Sequence, residues 1–257
     1  MSVAVVLAVQ AAATARAALR RGLRGRGVRL VACGSVERVE QRLGRDLVDG
    51  VVVDVRAARD AALALSRRFP RIPIFAIGAF RPDDGLLLAA CRRAGLRGIL
   101  VEGVDDVALG ELVAGRSASH MRRAELADAP RVLRLTEPIQ RRAWDEVLAR
   151  VGQPTRTADL ARTLGRTREH LSREFAAGGA PNLKRVIDLA RIAWAADLLA
   201  NPGYGVATVA AILRYSSASH LAGSALRVAG APPRELASLG PRGVLARFVR
   251  GRMRSRV

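Results

Sequence analysis

Arg168, Glu169, Ser172 and Arg173 stand at helical spacing within six residues, on the side left free once Leu171 and Phe175 turn inward. Two forked cations, a carboxylate and a hydroxyl with that reach are the groups that meet base edges and phosphates in a nucleic-acid groove. A second chemical candidate is Asp54, at the end of the apolar run VVVD, where ligands of open α/β sheets collect. No Walker loop, no Cys/His metal spacing and no nucleophile elbow accompanies them. His120, His170 and His220 are far apart, and the last two are expected to pack inside their helices. The pattern points away from an enzyme, and neither a cofactor nor a metal is expected.

The four polar residues need a helix held at a fixed angle, and TADLARTLGRTREHLSREF (Thr157 to Phe175) supplies one. Leu160, Ala161 and Leu164 form one apolar stripe, and Leu171 and Phe175 form the next. Gly165 suits the left-handed residue that closes a helix, and Thr167 suits the cap of the following one. Ala161 offers the small contact that two crossing helices require, with Leu171 ten residues on, the spacing of a helix-turn-helix. An ordinary helical hairpin with a solvated basic face would read the same way.

The chain has 257 residues, room for one large domain or two of ordinary size, and half of them are hydrophobic. Its formal net charge is +20, from 43 Lys and Arg against 23 Asp and Glu. That balance suits a polyanionic partner. Lys184 is the single lysine, so the positive charge is carried by Arg, the better group for forked contacts. Residues 1–128 carry a net +7 and residues 129–257 a net +13, so the excess lies with the helix-turn-helix. Two cysteines, Cys33 and Cys91, are too few for a disulfide framework and read as buried thiols of a reduced, cytoplasmic chain. Val3 to Ala13 reads as a buried first strand, since no basic residue precedes it as in a signal peptide. No run is long enough to span a bilayer, and no membrane partner is expected.

Apolar, β-branched runs recur at Val3–Val9, Val28–Ala32, Val51–Val55, Ile72–Ile77 and Ile99–Val101. Amphipathic segments lie among them at Val36–Leu43, Ala57–Phe69, Asp84–Ala94 and Asp105–Ala114, a (βα)5 alternation that predicts a parallel sheet covered on both faces. IPIFAIGA (Ile72 to Ala79) and AGLRGILVEG (Ala94 to Gly103) resemble the fourth and fifth strands of response-regulator receiver domains, and the resemblance spans about 115 residues. It implies a flavodoxin-like fold and places Asp54 at the phospho-acceptor position. The remaining chemistry is missing. Val9, Gln10 and Ala11 offer none of the paired acids a hard divalent cation needs. Gly78 replaces a hydroxyl residue, and Glu102 replaces a lysine with the opposite charge. Phosphoryl transfer depends on neutralising oxygen charge, so Asp54 is read as a degenerate acceptor, vestigial or a structural cap.

In the second half, Pro138 to Val151 predicts a leading helix and Asn182 to Ala200 a long one, spanning about 28 Å at 1.5 Å per residue. Beyond the long helix the first pattern returns in degraded form. Val209, Ala210 and Leu213 repeat the stripe, and Leu221 follows Ala210 by eleven residues. Two such units on one rod would face successive major-groove segments, about 34 Å apart. Residues 144–239 resemble the DNA-binding domain of AraC/XylS-type regulators. Leu160-Ala161, Leu164-Gly165, His170-Leu171-Ser172-Arg173 and Phe175 carry the likeness in the first unit, and Arg191-Ile192, Ala195 and Leu198-Leu199 in the rod. Val209-Ala210, Leu213, Tyr215, Ser219-His220-Leu221, Gly230, Pro232 or Pro233, and Glu235 carry it in the second. The resemblance implies that Arg168 to Ala176 reads bases through Arg168, Glu169, Ser172 and Arg173. Candidate contacts in the second unit are Ser217 and Ser219. That unit departs from the pattern. Arg214 stands at the turn glycine, Gly223 where an Arg often faces DNA, and Ala225 where a large aromatic locks the helix. Glycine inside a helix costs about 0.5 to 1 kcal/mol and a lost buried Phe about 3 to 5 kcal/mol, so a poorer second reader is expected.

The expected chain is thus a receiver-like domain at 1–114, a linker at 115–136, a double helix-turn-helix at 137–240 and a disordered basic tail at 241–257. The function expected is sequence-specific binding of double-stranded DNA in transcription regulation, chiefly through the first unit. RNA polymerase and a second copy of the chain, through the N-terminal domain, are further candidate partners. The competing reading is a noncatalytic interaction protein with weak or nonselective DNA binding.

Overall fold

The computed structural model describes residues 4–254. The chain divides into two compact units, one running to Met121 together with 201–203, the other from Arg122 onward without those three.

The first unit alternates strand and helix: β1 (Ala4–Val9), α1 (Ala13–Leu23), β2 (Val28–Cys33), α2 (Val36–Leu43), β3 (Gly50–Asp54), α3 (Arg59–Arg68), β4 (Ile74–Gly78), α4 (Gly85–Arg93), β5 (Gly98–Val101) and α5 (Leu109–Gly115). All pairings are parallel, in the order β2-β1-β3-β4-β5. This is the flavodoxin-like sheet that the alternation predicts. Val51, Val52 and Val53 are fully buried, as befits a strand covered on both faces. On one face Val6, Ala8, Val52, Phe75 and Ile77 meet Ala15, Leu19, Leu109 and Val113. There α1 and α5 approach so closely that a Cβ on Gly110 would stand 2.0 Å from the Gly22 carbonyl carbon. A side chain at either glycine would force the two helices apart. Cys33 and Cys91 are free and buried, and desolvation raises both thiol pKa values.

The second unit is helical. The segment expected as a linker is instead ordered, as α6 (Ala118–Glu125) and α7 (Ala129–Val132), with Leu126, Ala129, Leu133 and Leu135 in its core. Their apolar spacing was masked in the sequence by intervening Arg, Glu and Asp. Then come α8 (Pro138–Ala149), α9 (Thr157–Thr163), α10 (Arg168–Ala176), α11 (Leu183–Leu199), α12 (Val206–Ile212), α13 (Ala218–Ala229) and α14 (Pro233–Arg254). Twelve of the 17 residues of α11 are buried, so it is the unit's central rod. Arg122 of α6 and Asp197 of α11, 1% and 3% exposed, pair at 2.6 Å inside it. Removing either partner would strand a buried charge.

The basic tail is corrected as well. α14 turns sharply at Gly240, which precedes Pro241, and continues as helix to Arg254, while 255–257 lie outside the described residues. Val244, Leu245 and Phe248 recur at helical spacing and are buried where α14 packs on α11 and α13. A narrow apolar stripe among many arginines is thin for a helix standing alone, yet it is enough once a groove between two helices receives it. Among the described residues no helix is long and apolar enough to cross a membrane.

Candidate nucleic-acid interface

The first helix-turn-helix consists of α9 and α10. Leu160, Ala161, Leu164, Leu171 and Phe175 are buried between them. Gly165 takes a left-handed φ of 65° at the turn, a conformation that costs glycine nothing. Thr167 Oγ1 accepts from the His170 amide at 3.2 Å and caps α10. With Leu171 and Phe175 inward, Arg168, Glu169, Ser172 and Arg173 are all exposed. His170 is exposed too, against the expectation that it packs inside. Its Nε2 lies 3.3 Å from Glu174, which also takes a contact from Arg166 Nε at 3.3 Å. Leu171 already fills the inward position, so its neighbour must face solvent.

Sequence reasoning missed what fixes the far end of α10. Gln140 of α8 is fully buried. Its Nε2 donates to the carbonyls of Glu174 and Phe175 at 3.2 and 2.9 Å, and its Oε1 accepts from the Glu137 amide at 3.0 Å. One amide thus satisfies the end of α10 and the start of α8 together. The sequence signal was a Gln three residues after Glu137, a capping spacing.

The second unit repeats the arrangement through α12 and α13, with Val209, Ala210, Leu213, Leu221 and Ala225 buried. Arg214 holds the turn at φ 59°, where the first unit uses glycine. A non-glycine residue there costs about 1 to 2 kcal/mol. Arg191, reaching over from α11, offsets that cost. Its Nη2 donates to the carbonyls of Leu213 and Arg214 at 2.9 and 3.1 Å, and its guanidinium lies 3.8 Å from the centre of the Tyr215 ring. Burial pushes the Tyr215 hydroxyl up to about 12, with Arg191 opposing the shift. Ser217 caps α13, its Oγ accepting from the His220 amide at 3.0 Å. Ser219 is exposed. His220 is exposed rather than packed inside, and its Nδ1 is 3.0 Å from Ser216 Oγ. Ala225, in place of the large aromatic, is itself fully buried, and α14 packs against its helix.

At the carboxyl edge of the sheet, Asp54 Oδ1 accepts from the amides of Arg56 and Ala57 at 2.9 and 3.3 Å, which makes it the cap of its own turn. Arg56 donates to the Ala79 carbonyl at 3.0 Å and pairs with Asp84 at 3.2 Å. A Cβ on Gly78 would lie 3.8 Å from both Asp54 Oδ1 and Arg56 Cγ. Glu102 accepts a hydrogen bond from the Thr14 hydroxyl.

Residues 160–238 match a family model described as a helix-turn-helix domain. Full-length FixJ from B. japonicum is similar over 88% of this chain and 98% of its own, at 15% identity and a TM-score of 0.39. No curated protein matches the chain. The matched segment spans both helix-turn-helix units and the rod between them, so residues 160–238 form a helix-turn-helix domain.

Proposed function

We propose that the protein binds duplex DNA sequence-specifically and reads it mainly through α10. The observation that carries the proposal is the division of that helix, with Leu171 and Phe175 fully buried while Arg168, Glu169, Ser172 and Arg173 are all exposed. Arginine forks match guanine O6 and N7, while Ser and Glu take other edges. The rod supports two-site engagement: 17 residues of α11 span about 26 Å, short of the roughly 34 Å groove repeat by less than the width of one helix.

The receiver-like unit acts by contact, through dimerisation or a partner protein such as RNA polymerase, and not by phosphorylation. Support comes from the edge of its sheet. Asp54 already binds two backbone amides, Arg56 is held by the Ala79 carbonyl and Asp84, and Glu102 stands where a cation would be needed. Selection of bound fragments from the source genome, followed by gel-shift with competitor duplex, tests the first part. A preferred fragment bound well above random duplex is expected, and equal binding would favour the nonselective reading. For the second part, Asp54→Asn is expected to leave DNA affinity unchanged with or without acetyl phosphate. A phosphodonor-dependent difference would overturn it.

A further inference from the structure

The geometry assigns to Arg227 the role of base-reading cation of the second unit, with a guanine edge as its ligand, an inference that rests on the DNA-reading proposal above. Aligned on the shared pairs His170-Leu171 and His220-Leu221, the two units place Gly223 at the position of Arg173. The second helix has lost that arginine but kept a guanidinium there. Arg227, one turn later, leans back toward the start of α13, as helical side chains do. Its Nη1 reaches to 3.4 Å from where a Cβ on Gly223 would stand. Its Nη2 donates to Ser224 Oγ at 2.9 Å, and Ser224 is 2% exposed. A buried hydroxyl therefore holds the fork in place, over the space that glycine vacates.

Arg227 is exposed, as are Ser216, Ser217, Ser219 and His220 ahead of it. Among the described residues no acidic side chain lies on α13, so nothing on the helix competes for the fork. A preorganised guanidinium over the middle of an outward helix face suits the paired acceptors O6 and N7 of guanine. Contacts that only fix register go instead to the sugar-phosphate strands beside the groove.

The test compares base preferences, by selection and by titration against the selected duplex, for the full chain and five variants. Arg227→Ala should erase a guanine preference at one position, outside the stretch affected by Arg173→Ala. It should weaken binding to that duplex about tenfold and leave binding to random duplex unchanged. Gly223→Leu fills the vacated space with a better helix former. It should lose the same preference, with no further loss in the double variant Gly223→Leu/Arg227→Ala. Gly223→Arg/Arg227→Ala should restore a guanine preference in that half-site. A uniform loss on random and selected duplex from Arg227→Ala would mark a phosphate contact and overturn the assignment. If Arg173→Ala shifts its own position while Arg227→Ala and Gly223→Leu shift none, the assignment falls and DNA reading stands. If no variant shifts any position, the DNA-reading proposal falls too.

Discussion

α10 and α13 are one device built twice, and the two copies share their inward faces while parting on their outward ones. Both bury a Leu in the same register, both are capped by a hydroxyl accepting the third amide along, and both follow a turn residue at φ near 60°. Outward, Arg168, Glu169, Ser172 and Arg173 of the first copy face Ala218, Ser219, Ala222 and Gly223 in the second. Scaffold and reading surface are therefore separable. Packing and turn geometry persist through substitutions that remove every charged side chain from those four positions, provided that neighbouring helices supply what was lost.

The largest test of that comparison is in the two cores. Phe175→Ala should cost about 3 to 5 kcal/mol, read as a lower urea midpoint of the full chain. Ala225→Phe should destabilise too, by about 1 to 3 kcal/mol, because Ala225 is already fully buried. A stabilising Ala225→Phe would show the second copy to be hollow. Next in size, Arg173→Ala should cost about 1 to 3 kcal/mol of binding at the preferred site and relax one base position, measured by titration against single-base variants. Equal loss on random duplex would count against base reading.

Tyr215 sharpens the comparison through pH. Its ionisation is pushed from 10 to about 12 by burial, so the folded state favours the neutral phenol. The resulting stability is fully present below pH 10 and is lost as pH rises through 12, at about 1.4 kcal/mol per pH unit in that window. Tyr215→Phe should flatten this decline in denaturation midpoints; an unchanged slope would refute the burial argument. The smallest effects lie at the turns. Gly165→Ala should lower stability by about 1 kcal/mol, while Arg214→Gly should raise it by up to about that much. Equal and opposite signs in paired melts would show that the two copies share one backbone.

Whatever depended on periodicity was legible in the sequence. Strands of β-branched residues gave the sheet, and the Leu160-Ala161-Leu164 stripe with Gly165 gave the first unit and its exposed quartet. The basic C-terminal segment was less legible, because its buried Val244, Leu245 and Phe248 lie where α14 packs on α11 and α13, outside the segment itself. The same holds for the residues that complete the sites. Gln140 acts on carbonyls 34 and 35 residues away, and Arg191 on carbonyls 22 and 23 away. A local pattern carries no trace of such pairings. His170 and His220 were misjudged for another reason: each adjoins the Leu that occupies the inward position, and a helix offers only one of two neighbours that place.

Gln140 also determines how a disturbance would spread. Its single amide is the joint at which the leading helix grips the tail end of α10, so α8 cannot tilt without carrying α10 along or breaking two hydrogen bonds. A push on α8 would thus be converted into a change of angle at Arg173, a lever whose fulcrum is one side chain.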